Sequence, residues 1–316
     1  MTPIAAVVVP CANILGESAT WSVREQALYW VDIRAPKLHR FKPQSRIHEQ
    51  WNMPELCGAV VLADKGVVIA LRRHLASFDP ETSTLRKMLE LEPENWNNRL
   101  NEAKCDRAGR LWVGSMRDFG AAVSGSLYVV DASLLASRVI ENVRIPNSLG
   151  WSPDNQQMYF ADTGEGVVRR YNFDLHSGRV GASTIHIDSN TPGRPDGAAV
   201  DSEGFVWNAR YKAGCVVRVD PNGRVVSTIE LPASQPTSCA LGGSELRTLF
   251  VTTARQTLSH EELKCQTGAG HLISAEVDIP GLPDTEFSNR HPAGSSDSCI
   301  AVSSCRLDEA GDFNTK

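Results

Sequence analysis

What this chain lacks narrows its function before any motif does. It has no Lys/Arg-rich run, and its formal charge is -5. That argues against a nucleic-acid footprint. No apolar run approaches the length that spans a bilayer. The N-terminal "PIAAVVV" has no basic segment before it and reads as a strand rather than a signal peptide. The eight cysteines, Cys11, Cys57, Cys105, Cys215, Cys239, Cys265, Cys299 and Cys305, are scattered and never form C-x-x-C. This argues against a structural zinc site or a compact disulfide framework and suits reduced thiols in a cytoplasmic protein. Neither G-x-S-x-G nor H-E-x-x-H occurs, so the signatures of an α/β serine hydrolase and of a zincin are missing. Amphipathic helical periodicity is nearly absent as well. The best short candidate is "SHEELKCQ", with Ser259 and Glu262 at capping-box spacing.

What is present is a repeat. Six segments share a polar turn followed by an aromatic or β-branched strand: "WSVREQALYWVDI", "LADKGVVIALR", "CDRAGRLWVGSM", "WSPDNQQMYFADT", "VDSEGFVWNAR" and "LGGSELRTLFVTT". Their anchors are Trp30, Ile69, Trp112, Tyr159, Trp207 and Phe250, separated by 39, 43, 47, 48 and 43 residues. A further strand signal follows each anchor. Repeats of this length built of short strands mark the blades of a β-propeller. The expected fold is therefore all-β, a six-bladed β-propeller over residues 1–287 with a central channel. The N-terminal strand is expected to join the last blade and close the ring. Residues 288–316 are polar and serine-rich, fit no further blade, and are expected to form a mobile tail.

One polar residue recurs ahead of the anchor in four blades. Glu17 lies 13 residues before Trp30, Asn101 11 before Trp112, Asn147 12 before Tyr159 and Asp196 11 before Trp207. In a propeller such equivalent positions converge on one end of the channel. Two carboxylates and two amides make an oxygen-only set, which selects hard cations such as Ca²⁺, Mg²⁺ or Mn²⁺. The corresponding places in the other two blades fall near Cys57-Gly58 and Ser238-Cys239. These are expected to line the same cavity, with the cysteines as small wall residues rather than nucleophiles.

The strings "GESATWSVREQALYWVDI", "NRLNEAKCDRAGRLWVGSM", "NSLGWSPDNQQMYFADT", "RPDGAAVDSEGFVWNA" and "FVTTARQTLSHEEL" resemble the regucalcin/gluconolactonase/luciferin-regenerating family from about Ile14 to Phe287. The resemblance implies one divalent metal at one end of the channel, Ca²⁺ foremost, with Zn²⁺, Mn²⁺, Mg²⁺ and Fe²⁺ as alternatives. It implies Glu17, Asn147 and Asp196 as ligands, Asp196 doubling as general base, and Arg99 and Asn101 beside the substrate. Asp118 in "GSMRDFG" is a further candidate substrate contact. The implied reaction is hydrolysis of a sugar lactone to its aldonic acid, with no nucleic acid, membrane or obligatory protein partner. Two other readings share the metal site: a non-catalytic calcium-binding propeller and an organophosphate triester hydrolase. The chain departs from many relatives at Asn101-Glu102-Ala103, where Asn-Asp-Gly is usual, and at Asn147-Ser148, where Asn-Gly is usual.

Overall fold

The computed structural model describes residues 4–288, 299–307 and 314–315. It contains six antiparallel sheets arranged as blades, each built on four strands. The innermost strands are Gly16–Ser22, Cys57–Leu62, Asn98–Cys105, Pro146–Trp151, Arg194–Val200 and Pro236–Gly242. All six sequence anchors fall on the second strand of their blade, from Ala27–Asp32 through Thr248–Thr253. Inner strands are almost wholly buried because both faces are covered, whether apolar as in Cys57–Leu62 or polar as in Asn98–Cys105. Outer strands such as Thr84–Glu90 are partly exposed and carry charge.

Large apolar side chains from adjacent blades interlock and hold the ring together. Trp51, Phe78, Tyr29 and Ile69 share one cluster, and Trp112, Trp151 and Phe173 share another. Ala6–Val9 pairs with Leu272–Glu276 as the outermost strand of blade six, so the ring closes as expected. The helix signalled by its capping box is present at His260–Cys265, with Ser259 and Glu262 bonded reciprocally. It is the one α-helix among the described residues, and none there is long and apolar enough to cross a membrane.

One end of the channel is closed by the segment after the last blade. Its Asp284 accepts the Trp21 N–H at 3.0 Å, Arg107 donates to the Pro283 carbonyl, and the Phe287 N–H reaches the Leu62 carbonyl. Among the described residues the tail beyond it adds no blade. Cys299–Ala301 instead pairs with Thr84–Glu90 on the edge of blade two, and Ser304–Leu307 with Ile47–Asn52 on the edge of blade one. Over these residues the tail takes strand pairing rather than none; residues 289–298 and 308–313 lie outside the described residues.

Candidate active site at the open end of the channel

The register between the first and second strands shifts in all six blades, and always near the start of the innermost strand. The irregular stretches are Glu17–Thr20, Cys57–Ala59, Leu100–Ala103, Asn147–Gly150, Pro195–Ala198 and Pro236–Ser238. An extra residue in one strand kinks it and re-aims its side chains. Glu17, Asn101, Asn147 and Asp196 each sit in or at the edge of one of these shifts, and all four are buried. Gly197, next to Asp196, permits the approach of blade six: a Cβ there would lie 2.6 Å from Ser238 Oγ.

The carboxyl groups of Glu17 and Asp196, 179 positions apart in sequence, lie within reach of a shared proton. Burial, then the charge of Glu102, pushes Glu17 up to about 8. Asp196 is raised well above the aspartate range by burial and by Glu17. Its Oδ1 is buried with no hydrogen-bond donor facing it. Two buried carboxyls that repel one another, one with an orphaned oxygen, are incomplete as they stand. The donor set suits a hard divalent cation, which would supply the missing positive charge. Asn147 adjoins it: its Oδ1 accepts from Asn101 Nδ2 at 3.3 Å, and its Nδ2 donates to Thr163 Oγ1 at 2.9 Å. Thr163 in turn donates to the Pro195 carbonyl, next to Asp196.

Arg99 and Asp118 extend this polar chain toward the rim. Arg99 donates through Nη1 to Asn101 Oδ1 at 2.6 Å and to the Leu100 carbonyl, and through Nε to Asp118 Oδ1 at 3.2 Å. Asp118 is only 2% exposed in its side chain and also binds Arg34 at 2.8 Å. It therefore holds Arg34 and Arg99 in place.

Two further site residues showed in the sequence only as departures from the usual pattern. Glu102 is buried and pushed up to about 7, chiefly by burial. The Asn101-Glu102 departure placed it here without revealing its role. Ser148 Oγ donates to the Asp196 carbonyl at 2.5 Å and accepts from Asn208 Nδ2 at 2.9 Å. Ser148 does this at φ +56°, a left-handed conformation that glycine adopts without strain. One expectation is corrected: Cys57 and Cys239 do not line the cavity. Both turn into the apolar clusters between blades, where their thiols meet backbone carbonyls. Burial pushes the Cys239 thiol up to about 12 and Cys57 higher still, so neither is a nucleophile.

Residues 15–255 match the family described as the SMP-30/Gluconolactonase/LRE-like region. The chain belongs to this family. It is 35% identical over 278 residues to a 6-deoxy-6-sulfogluconolactonase of Pseudomonas putida, covering 87% of this chain and 95% of that one. It is also 35% identical over 284 residues to an L-arabinolactonase of Azospirillum brasilense, covering 87% and 92%. Among solved structures it superposes on a calcium-binding regucalcin of Agrobacterium tumefaciens with a TM-score of 0.85, 28% identity, and coverage of 91% and 97%. Membership covers every blade that contributes to the open end of the channel. Lactonase is thus the kind of enzyme that the named relatives support.

Proposed function

We propose that this protein hydrolyses a sugar lactone to its aldonic acid, with a divalent cation held by Glu17, Asn147 and Asp196. The observation that carries this reading is the pair of buried, mutually repelling carboxyls with an orphaned Asp196 Oδ1 at the mouth of a polar channel. The regucalcin likeness favours Ca²⁺. When bound, the cation supplies charge that keeps both carboxylates ionised and polarises an ester carbonyl.

Asp196 accepts the proton of the attacking water and returns it to the ring oxygen as the ester opens. Its backbone is tethered by Ser148 and Asn208, which fix where that proton is taken up. Asn101 and Arg99 orient the sugar hydroxyls, a positioning contribution. Arg99 is suited to this because Nε and Nη1 are engaged by protein, while Nη2 has no partner among the described residues. A mouth lined by Arg99, Asn101, Asn147 and Thr163 fits a polyol better than the apolar triester of the organophosphate reading.

A pH-stat assay of the purified protein against a panel of aldonolactones, with and without chelator, tests the proposal. Hydrolysis lost on chelation and restored by a divalent ion is the expected result. Tight cation binding with no turnover of any lactone would leave the non-catalytic calcium-binding reading in its place.

A further inference from the structure

Beside the carboxyl pair the channel mouth changes sign. Three arginines from three blades surround one carboxylate: Arg34 from the loop after Ala27–Asp32, Arg72 from the loop after Val67–Leu71, and Arg99 from the innermost strand of blade three. Asp118 lies 2.8 Å from Arg34, 3.2 Å from Arg99 and 3.8 Å from Arg72. Glu55 also feels the charges of Arg72 and Arg73, but its own contact is His74 at 3.3 Å. One carboxylate therefore answers three guanidinium groups in a protein whose overall charge is -5. Asp118 Oδ2 is buried and accepts no hydrogen bond, and Arg72 Nη2 stands off at 3.8 Å, so the Arg72 guanidinium pairs with the carboxylate by charge without being hydrogen-bonded to it.

The arrangement is fixed rather than splayed into solvent. The Arg34 guanidinium lies over the Phe119 ring at 4.8 Å, and its backbone N–H is held by Asp32. The Arg72 carbonyl accepts the Leu100 N–H at 2.8 Å, which ties that loop to the strand carrying Arg99 and Asn101. Side-chain exposures of 22% for Arg34 and 35% for Arg72 leave both partly open to solvent, whereas Asp118 between them is buried. Held guanidinium groups with spare donors are the usual means of binding an oxyanion.

We infer that Arg34 and Arg72 form an anion subsite, and that the preferred lactone carries a second negative group on the carbons remote from its carbonyl. This rests on the lactonase reading and assigns a direction within the site. The ester carbonyl faces Glu17 and Asp196, hydroxyls meet Asn101 and Arg99, and a sulfonate, phosphate or carboxylate meets Arg34 and Arg72. A neutral sugar lactone leaves the two guanidinium groups to share Asp118 alone with Arg99.

The test compares gluconolactone with analogues bearing a terminal sulfonate, phosphate or carboxylate, in the wild type and in Arg34→Gln, Arg72→Gln and Arg34→Lys. The charged lactones are expected to show kcat/KM at least about tenfold above the neutral one, the best of the three identifying the anion. Each Gln variant should raise KM for the charged lactone about tenfold, with the neutral lactone changed by less than about threefold; Arg34→Lys should retain most of the preference. Equal rates on charged and neutral lactones, or Gln variants that lower both alike, overturn the subsite. If no lactone is opened, the lactonase reading fails by itself. Calorimetry with glucarate then decides the subsite: binding weakened in both Gln variants sustains it, and unchanged binding overturns it.

Discussion

The innermost strand of blade five has a buried aspartate near its start and another just past its end, and the two live in opposite circumstances. Asp201, at the closed end of the channel, accepts from the Glu203 and Phe205 N–H groups, from Trp207 Nε1 and from Arg218. Asp196, at the open end, has an orphaned oxygen and another carboxyl beside it. Blade three repeats the satisfied version: Asp106 takes N–H groups of Ala108, Arg110 and Trp112. Aspartates of similar burial thus divide into those whose charge is answered by the fold and one whose charge the fold leaves open. A deficit of this kind is costly to folding and useful to chemistry.

Exchanging the two aspartates for asparagine should separate these roles most widely. Asp196→Asn is expected to lower lactone turnover by about 10² or more and to weaken cation binding, while the cation-free protein becomes no less stable. Asp201→Asn should do the reverse: a loss of about 2–3 kcal/mol in urea unfolding, with kcat retained by the molecules that remain folded. A stability loss in the first variant, or an activity loss in the second at full folding, would erase the distinction.

The same contrast predicts a pH response. Glu17 and Asp196 are raised in the folded, cation-free protein, so folding binds protons there. The stability they contribute is complete below the ordinary carboxyl range and is lost as pH rises toward about 8 for Glu17. Melting of the chelated protein should therefore shift downward between about pH 5 and 8. Saturating Ca²⁺ should flatten that slope, because protons and cation compete for the same oxygens. Differential scanning calorimetry at several pH values, with and without Ca²⁺, reads both effects.

A smaller effect is expected at Ser148. Ser148→Gly relieves a left-handed serine, worth about 1 kcal/mol, but removes the hydroxyl that tethers the Asp196 carbonyl. Thermal stability should change little, and kcat should fall by about tenfold, the scale of losing an outer support of a site. The smallest change should come from removing everything after Ser288. That strips edge strands from blades one and two, so we expect unaltered kcat and a stability change within about 1 kcal/mol.

The fold was legible because its signal is repeated. One weak strand pattern says little, whereas six at steps of 39 to 48 residues fix the blade count and place every anchor on the second strand. Equivalent places in the repeat likewise brought Glu17 and Asp196 together. Cys57 and Cys239 broke that equivalence because residue spacing is blind to the strand irregularities at Cys57–Ala59 and Pro236–Ser238, which change the side chains that face the channel. Arg34 and Arg72 escaped notice for another reason. They sit in loops between the second and third strands, outside the aligned positions, and only the ring brings them to Asp118. Ser148 was visible only as a departure from Asn-Gly, and its strained φ belongs to the backbone rather than to the string.

The closing strand Ala6–Val9 has a bearing on the protein's birth at the ribosome. It is made before any of the six innermost strands, yet waits for Leu272–Glu276 of the sixth blade before it can be paired. Early blades can form as local hairpins, which cost little loop entropy, but the ring itself cannot close until the sixth blade has been made. Glu17 belongs to the first blade and Asp196 to the fifth, so the carboxyl pair is assembled only at that late step. Nascent chains released short of residue 272 would hold half of the pair on each side of an open gap, and the acquisition of cation affinity would time the moment at which the circle is completed.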